Sequence, residues 1–313
     1  MFEKLVSLEM QLRGGKARAF AGKAIRRLWP GFRLSSFLLQ TTGSQKEVTV
    51  NGKRMFVDLW DSAVSTHLFV SKTWEPEETE LVSSLLHEGD VFVDVGANVG
   101  YFTLLASECV GSSGKVFAFE PAPRNFVLLS KNAEINHCAN VRCEQKAVTD
   151  RNQPLELHLS SFNFGDHRIF PSQDDENYNR GHQRTRTRVE GITLDSYFPP
   201  GAHIDFIKMD IQGAEYFAIQ GMKRVVLDNP AVMLMMEFWP HGLRQAGVEP
   251  EALLDELELL GLTPYGAVAG GLERWSRQKI MQTDGDDCVN LVLSRRAIAV
   301  ASNSSSSGSL LSR

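Results

Sequence analysis

Two carboxylates flank a glycine-rich turn in the amino-terminal third of the chain. Asp94 comes two residues before Gly96, Gly100 follows four residues after that, and Glu120 ends the next apolar run. Glycine allows the backbone to approach a ligand closely, and a helix that begins after the turn offers free N–H groups to an anion. A carboxylate about twenty residues beyond such a turn can accept hydrogen bonds from both hydroxyls of a ribose. The spacing therefore predicts a site for a nucleoside-containing cofactor.

The residues between the glycines narrow the choice of cofactor. A dinucleotide site would have glycine at two positions where this chain has Asn98 and Tyr101. Asp94 could instead accept a hydrogen bond from the ammonium group of an amino-acid-like ligand. A ribose with a zwitterionic tail and no pyrophosphate describes S-adenosylmethionine, which we predict as the cofactor. The alternatives are that Asp94 only caps the following helix and that Glu120 is a solvated strand end.

The third predicted strand, 141–144, adds the last candidates for the cofactor site. Lys146 and Ala147 follow this strand, at the edge of a doubly wound sheet where an adenine would be read. The alternative is that Lys146 is a surface residue. The full set of predicted cofactor-binding residues is Asp94, Gly96, Ala97, Asn98, Gly100, Tyr101, Glu120, Pro121, Lys146 and Ala147.

Further carboxylates follow the later strands. Asp210 ends the predicted strand 204–209, where an open α/β sheet places its chemistry, and it suits a hydroxyl substrate or a metal. No second metal ligand is evident, so no metal site is predicted. Glu237 repeats this arrangement after the predicted strand 231–236, and Trp239 could form a pocket wall or a core contact. Glu215 is a substrate-binding candidate, although an acidic residue in the first turn of a helix also favours the helix dipole.

A long polar loop between residues 160 and 186 supplies the remaining candidates. Loops of this length are usually functional or mobile. Asp166 and Arg168 are predicted to bind substrate, and His167 between them could act as a general base. We rank the candidate bases as Asp210 first, His167 second and His241 third.

The elements that must position these residues alternate between apolar runs and amphipathic segments. Strands are predicted at 91–95, 115–119, 141–144, 204–209, 231–236 and 289–293, and helices at 101–110, 121–136 and 250–260. This pattern predicts an α/β fold with a doubly wound, mostly parallel seven-stranded sheet, in which 289–293 could be the antiparallel edge. A β-hairpin turning at Asn51 and Gly52 and a helix at 75–86 form an amino-terminal extension. An inserted strand at 154–160 is expected to pair with 187–194.

Composition limits the classes of function. The net charge of −5 gives no general electrostatic case for nucleic-acid binding. The four cysteines show neither a CxxC pair nor zinc spacing, which predicts a reduced, cytoplasmic chain with buried thiols. There is no run of eighteen apolar residues and no signal-peptide pattern.

Three regions are expected along the chain. Residues 1–45 form a basic, helical segment that either touches an anionic membrane surface weakly or packs against the domain or a partner subunit. Residues 46–296 form the catalytic domain. Residues 297–313 are rich in serine and are expected to be disordered. The oligomeric state stays open.

Five ordered blocks, VFVDVGANVGYFTLLAS, FAFEPAPRNFVLL, NFGDHRI, FIKMDIQGAEYFAIQGM and MMEFWP, resemble the FkbM-type methyltransferases. This family belongs to the S-adenosylmethionine-dependent class I methyltransferases, which have a Rossmann-like fold. The resemblance implies cofactor contacts at Asp94, Gly96, Asn98 and Glu120. It also implies O-methylation of a hydroxyl on a sugar, glycan, polyketide or similar small metabolite. Family members commonly have Glu where this chain has Gln212.

Two alternatives remain from the sequence. An NAD-dependent oxidoreductase would share the strand, the turn and the ribose-binding carboxylate. A non-catalytic binding module could retain the methyltransferase fold without its activity. The spacing of the glycine turn weakens the first alternative, and the second would bind the cofactor weakly or not at all.

Overall fold

A computed structural model describes residues 44–171, 184–268, 271–283 and 287–298. Almost all of the predicted basic segment at 1–45 and of the serine-rich tail at 297–313 therefore lies outside the described residues. The boundaries of the three predicted regions stay a prediction.

Strands and helices follow one another along the described chain. The strands are β1 (Gln45–Val50), β2 (Lys53–Asp58), β3 (Val91–Val95), β4 (Lys115–Phe119), β5 (Val141–Glu144), β6 (Lys146–Val148), β7 (Leu155–Leu159), β8 (Thr185–Ile192), β9 (Phe206–Met209), β10 (Met233–Phe238), β11 (Thr263–Val268), β12 (Gly271–Arg274) and β13 (Val289–Ser294). The helices are α1 (Val64–Ser71), α2 (Pro76–Leu85), α3 (Tyr101–Val110), α4 (Pro123–Ile135), α5 (Leu194–Tyr197), α6 (Glu215–Gln220), α7 (Lys223–Asp228), α8 (Pro240–Gln245), α9 (Pro250–Leu259) and α10 (Arg277–Ile280).

A mostly parallel sheet forms the centre of the fold. Its order is β12-β11-β13-β10-β9-β3-β4-β5, and the strands from β10 to β5 run parallel. Apolar side chains cover both faces of β3, since Val93 and Val95 join one core cluster and Phe92 joins the other. The predicted doubly wound α/β fold is confirmed.

The antiparallel end of the sheet differs from the prediction. Strand β13 is antiparallel to β10 as expected, but it lies between β10 and β11 and is not the edge. The hairpin of β11 and β12 was not predicted, and β12 makes the sheet eight-stranded instead of seven-stranded. Its short strands contain Pro264, Gly266 and Gly271, which weaken the strand pattern in the sequence.

The amino-terminal hairpin has the predicted turn. Asn51 and Gly52 both have positive φ, at 48° and 76°, and connect β1 to β2 in antiparallel register. The Tyr101 hydroxyl accepts a hydrogen bond from Asn51 Nδ2 at 2.8 Å and lies 3.0 Å from Thr79 Oγ1. The first residue of α3 therefore fixes both the hairpin and α2 to the glycine turn.

Asn132 of α4 and Asn136, which follows the last residue of this helix, bind the outer edge of β2. Asn132 accepts a hydrogen bond from the Phe56 N–H at 2.6 Å and donates to the Phe56 carbonyl at 3.0 Å. Asn136, one helical turn later, does the same with the backbone of Arg54, at 3.1 and 2.6 Å. Each side-chain amide thus replaces one residue of a neighbouring strand.

A separate three-stranded sheet has the order β6-β8-β7. Strands β7 and β8 pair antiparallel, which confirms the predicted insertion. Strand β6 pairs parallel with β8, so Lys146 and Ala147 lie in a short strand and not in a loop after β5.

No helix among the described residues is long and apolar enough to cross a membrane. The four cysteines are unpaired, and Cys288 is exposed while the other three are half-buried. The expectation of fully buried thiols was therefore wrong.

Candidate active site

A pocket opens at the carboxyl ends of β3, β4 and β9. It contains most of the residues predicted from the sequence to bind cofactor or act on substrate. The predicted residues that line it are Asp94, Gly96, Ala97, Asn98, Tyr101, Glu120, Pro121, Lys146, Ala147, His167, Asp210 and Glu237. These residues come from three strands, one helix and four connecting segments, and they meet in one cavity.

The glycine turn brings the backbone of β3 against that of β9. Gly96 has a φ of 84°, and a Cβ at this position would lie 2.1 Å from the Asp210 carbonyl oxygen. Only glycine fits there. Gly100, with a φ of 92°, packs against Leu129 Cδ1 and does not line the pocket. Its role is to seat α3 on α4, so the structure does not support the predicted cofactor contact at Gly100.

Glu120 is buried at the end of β4, which rules out the alternative of a solvated strand end. Its Oε2 accepts a hydrogen bond from the Asn98 N–H at 2.8 Å, and its Oε1 accepts one from the Ala122 N–H at 2.8 Å. Burial raises the pKa of Glu120 to about 7, although these two hydrogen bonds lower it. The carboxylate links the turns after β3 and β4, and each oxygen has a further lone pair for a ligand.

Asp94 has one satisfied oxygen and one unsatisfied oxygen. Its Oδ2 accepts a hydrogen bond from the Thr103 hydroxyl at 2.6 Å, whereas Oδ1 is buried and has no hydrogen-bond partner. Burial raises the pKa of this carboxyl group above its usual value. No side chain caps the amino terminus of α3, so the alternative of a helix cap was wrong. An orphaned acceptor in a pocket calls for a donor from a ligand.

Two charged residues of the pocket were missed by the sequence analysis. Lys208 in β9 is buried and lies 4.4 Å from the centre of the Phe102 ring. Burial lowers its pKa, but the carboxylates of the pocket outweigh this effect and raise the pKa above its usual value. Its place two residues before Asp210, on the same face of the strand, was a usable signal.

Glu75 is the second missed residue. It lies just before α2 with a φ of 40°, a conformation that is uncommon for a residue other than glycine. It lines the pocket, and burial raises its pKa to about 7. No sequence signal marked this glutamate, because only the packing of α2 on the sheet brings it to the pocket.

Asp210 follows β9 at the rim of the pocket. Its Oδ1 accepts a hydrogen bond from Gln212 Nε2 at 2.7 Å, and Gln212 has a left-handed backbone with a φ of 56°. The side chain is half-buried, so its second oxygen can meet a ligand. The amide of Gln212 thus orients the first candidate base.

Glu237 lies inside β10, because this strand continues to Phe238 and does not end at the predicted residue 236. It still lines the pocket. Burial, together with the charge of Asp210, raises the pKa of Glu237 to about 8.

The two histidines differ in position. His167 lines the pocket, and its Nδ1 accepts a hydrogen bond from the Ser160 N–H at 3.1 Å. Burial lowers its pKa to about 4, so at neutral pH the ring is uncharged and its proton lies on Nε2, where it can donate but not accept. His241 contacts Gln245 in α8 at 2.6 Å and does not line the pocket. The structure therefore gives neither histidine the geometry of a general base.

Several predicted substrate-binding residues lie outside the pocket lining. Asp166 forms ion pairs of 2.6 Å with Arg168 and Arg184. Arg168 also donates to Gln245 at 2.6 Å and lies over the Trp239 ring at 4.9 Å. This cluster fixes the loop after β7 to α8. Asp166, Arg168 and Trp239 therefore stabilise the fold and do not face the pocket.

Glu215 is also structural. Its Oε1 accepts hydrogen bonds from the backbone N–H groups of Ile211 at 3.2 Å and Gly213 at 3.3 Å. It is fully buried and does not line the pocket. It stabilises the loop that carries Asp210, and the predicted contact with substrate has no support in this geometry.

Two segments form a roof over the pocket, namely residues 61–75 and residues 162–169. Asp61 joins them, because its Oδ1 accepts from the Phe164 N–H at 3.0 Å while its Oδ2 accepts from the Ser65 N–H at 2.7 Å. The Phe164 carbonyl in turn accepts from Asn98 Nδ2 at 3.2 Å and Asn125 Nδ2 at 2.9 Å. The roof is thus tied to the cofactor turn.

A family model described as the methyltransferase FkbM domain matches residues 94–261. The chain belongs to the FkbM methyltransferase family. The match contains Asp94, Glu120, Lys208 and Asp210, and it confirms the resemblance seen in the sequence. S-adenosylmethionine is accordingly the cofactor. The alternative of an NAD-dependent oxidoreductase does not agree with membership of this family.

Curated relatives of this FkbM methyltransferase have either a low sequence identity or a short matching segment. Methyltransferase sdnD of Sordaria araneosa is 26% identical over 188 residues, which are 52% of this chain and 71% of the relative. The 31-O-demethyl-FK506 methyltransferase FkbM of Streptomyces tacrolimicus is 48% identical over 66 residues, 21% of this chain and 24% of the relative. The chain matches only about a quarter of that second protein.

Solved structures resemble the fold with low scores. Methyltransferase FkbM from Methylobacillus flagellatus KT gives a TM-score of 0.42 at 14% identity, covering 72% of this chain and 49% of that one. A putative rRNA methylase from Clostridium thermocellum gives 0.42 at 11% identity, covering 70% of this chain and 93% of that one.

The pocket of this FkbM methyltransferase fits its cofactor. The cradle at Gly96 has no room for a Cβ, Glu120 stands where a ribose would be held, and Asp94 Oδ1 lacks a hydrogen-bond donor. A nucleoside with a cationic tail supplies the missing donors.

Proposed function

We propose that this protein methylates a hydroxyl group on a small molecule or glycan. The observation that carries the proposal is the position of Asp210, whose carboxylate stands at the pocket rim with one oxygen held by Gln212 and the other available. A hydroxyl must lose its proton as the new C–O bond forms, and a carboxylate in reach can accept that proton.

When bound, S-adenosylmethionine supplies an electrophilic methyl group. Asp210 accepts the proton of the acceptor hydroxyl, and Glu120 and Asp94 fix the position of the nucleoside and of its tail. Alignment in such a site accounts for about 7 to 11 kcal/mol of the barrier in well-oriented systems. The roof residues Trp74 and Phe164, which line the pocket, exclude water from the reacting atoms.

A relative supports the choice of oxygen as the acceptor atom. The matched protein from Streptomyces tacrolimicus is named as a methyltransferase of 31-O-demethyl-FK506. We propose no nucleic-acid substrate, because the net charge of −5 offers no electrostatic attraction to phosphates.

The proposal also includes the cellular location and the partners of the protein. The unpaired cysteines agree with a cytoplasmic chain. Contact of residues 1–40 with a membrane surface or a protein partner lies outside the described residues and stays a prediction.

The test is the transfer of labelled methyl from S-adenosylmethionine into a cell extract fractionated by polarity. Label in a fraction of small molecules or glycans, stable to mild base, is the expected result. Label confined to amines or to nucleic acid would contradict the proposal. A thermal-shift comparison provides the control, since S-adenosylmethionine should stabilise the protein and NAD should not.

A further inference from the structure

Asp94 and Lys208 are neighbours on the floor of the pocket. They pair in register on the adjacent parallel strands β3 and β9, so their side chains leave the same face of the sheet. Both are buried, with 1% and 6% of their surface exposed, and both line the pocket. One anionic and one cationic group thus stand side by side below the glycine turn.

Both groups lack a partner on the side that faces the pocket. Asp94 Oδ1 has no hydrogen bond. Among the described residues, the ammonium group of Lys208 has the Phe102 ring as its contact, at 4.4 Å, and it has no hydrogen bond or ion pair. A buried charge without a hydrogen-bonded counter-ion is costly. A ligand that supplies the counter-ion would remove this cost.

The surrounding charges keep Lys208 protonated. The carboxylates of Asp210, Asp94, Glu75 and Glu237 all favour the ammonium form, and they raise its pKa although burial lowers it. The group is therefore a permanent cation at neutral pH. Since Asp94 is its neighbour in register, the pair presents opposite charges to whatever lies above it.

We propose that Lys208 binds the carboxylate of the methionine tail of S-adenosylmethionine while Asp94 binds its ammonium group. An α-amino acid carries both charges on one carbon, so it can meet both buried groups at once. Asp94 was expected to bind the ammonium from its place in the sequence, whereas the assignment of Lys208 comes from the register of β3 and β9. This inference relies on the cofactor of the proposed function.

Three nucleosides that differ in the charged groups of the tail can test the contacts of Lys208 and Asp94 one at a time. S-adenosylhomocysteine has the whole amino acid, its decarboxylated analogue has the amine alone, and 5′-methylthioadenosine has neither. Calorimetric affinities for the three should be measured with the full chain and with Lys208→Met. We expect the variant to lose roughly tenfold to a hundredfold in affinity for S-adenosylhomocysteine, the worth of one charge-assisted contact. The affinities for the other two nucleosides should stay at the wild-type values.

Matched variants complete the experiment. Lys208→Arg should recover part of the affinity for S-adenosylhomocysteine because it restores the cation. Asp94→Asn should weaken both ligands that carry the amine and leave 5′-methylthioadenosine unaffected. Lys223→Met, which removes a lysine paired with Glu256 on the surface, should change none of the three affinities.

The outcomes are distinct. Lys208→Met with unchanged affinity for S-adenosylhomocysteine, or with an equal loss for all three nucleosides, overturns the assignment of Lys208. A wild-type protein that binds none of the three overturns the proposed function itself.

Discussion

Asp210 has one oxygen engaged and the other free for a substrate. Gln212 donates its amide N–H to Asp210 Oδ1, and a glutamate at position 212 could not do so when ionised. In this chain a neutral donor therefore orients the carboxylate without adding a second negative charge. Gln212 thus has a defined contact with the candidate base.

Replacement of Asp210 by asparagine should abolish turnover and preserve cofactor binding. The variant keeps the size of the side chain but loses the proton acceptor, which typically contributes roughly a hundredfold to ten-thousandfold in rate. Labelled methyl transfer should be measured beside the calorimetric affinity for S-adenosylmethionine. Asp255→Asn, at an exposed ion pair with Arg277, is the control. Full activity in Asp210→Asn would remove this residue from the mechanism.

Glu215→Gln should stabilise the protein at alkaline pH. Burial raises the pKa of Glu215 from its usual 4.5 to about 7, so the folded chain keeps a proton that the unfolded chain releases. The wild type therefore loses stability as pH rises from about 4.5 to 7, and the amide variant does not. The free energy of unfolding of Glu215→Gln minus that of the wild type should increase by roughly 2 to 3 kcal/mol between pH 4 and pH 8.

Urea unfolding at both pH values measures this effect. Glu251→Gln is the matched control, because Glu251 also lies in the first turn of a helix but is exposed. If the Glu215→Gln variant follows the wild type at every pH, the buried carboxyl group of Glu215 is not the one that titrates.

Sequence reasoning found the residues whose role is set locally. Gly96 and Glu120 were found because the turn and the following strand fix their positions within about thirty residues of chain. Asp166, Arg168 and His241 were misplaced because α8 packs against the loop after β7, a contact that no local pattern encodes. Lys208 was overlooked because its neighbour in register, Asp94, lies far from it in the sequence.

The roof depends on Asp61 as the junction of its two segments. Asp61→Ala would leave three backbone N–H groups, those of Ala63, Ser65 and Phe164, without their acceptor. We expect a loss of about 3 kcal/mol in the free energy of unfolding, since buried donors without partners are costly. Faster hydrogen exchange at the amides of Ser65 and Phe164 should accompany this loss.

Asp61→Asn distinguishes the contacts of the two oxygens. This variant keeps one acceptor oxygen, so its free energy of unfolding should lie between that of the wild type and that of Asp61→Ala. Unchanged exchange at Phe164 in Asp61→Ala would show that the roof is held by other contacts, such as those of its carbonyl with Asn98 and Asn125.

The elements were predicted where hydrophobic runs are continuous. Strands β3 and β4 were identified with the bounds that the structure shows, since at least four residues in sequence are apolar or buried in each. Strand β10 was predicted to end two residues early because Glu237 interrupts its apolar run. Helix α1 and strands β11 and β12 were missed, because their patterns are short and mixed and only the neighbouring elements stabilise them.

At the scale of the whole molecule, the amino-terminal extension is part of the site. Residues 44–90 precede the family match, yet Val64, Trp74 and Glu75 line the pocket. The extension also contributes buried core residues, among them Val50, Val57, Leu68 and Val82. The cavity therefore requires more of the chain than the family match contains.

Truncation should reveal this requirement. A chain of residues 44–298 contains every residue that lines the pocket, and it should bind S-adenosylhomocysteine with the affinity of the full chain. A chain of residues 91–298 exposes the apolar face of α3 and loses the first roof segment, residues 61–75, so it should bind no cofactor and should aggregate. Thermal shift and size-exclusion chromatography test both chains. Normal cofactor binding by residues 91–298 would contradict the role given to the extension.

Asn132 and Asn136 have a consequence beyond holding the hairpin. A two-stranded ribbon with an open side is a template on which a second molecule can add a strand. Asn132 and Asn136 occupy the hydrogen-bonding groups of Phe56 and Arg54, so this side offers nothing to an incoming chain. Loss of either amide would leave the backbone N–H and carbonyl of Phe56 or of Arg54 without these partners, and an added strand pairs through such unpaired backbone groups.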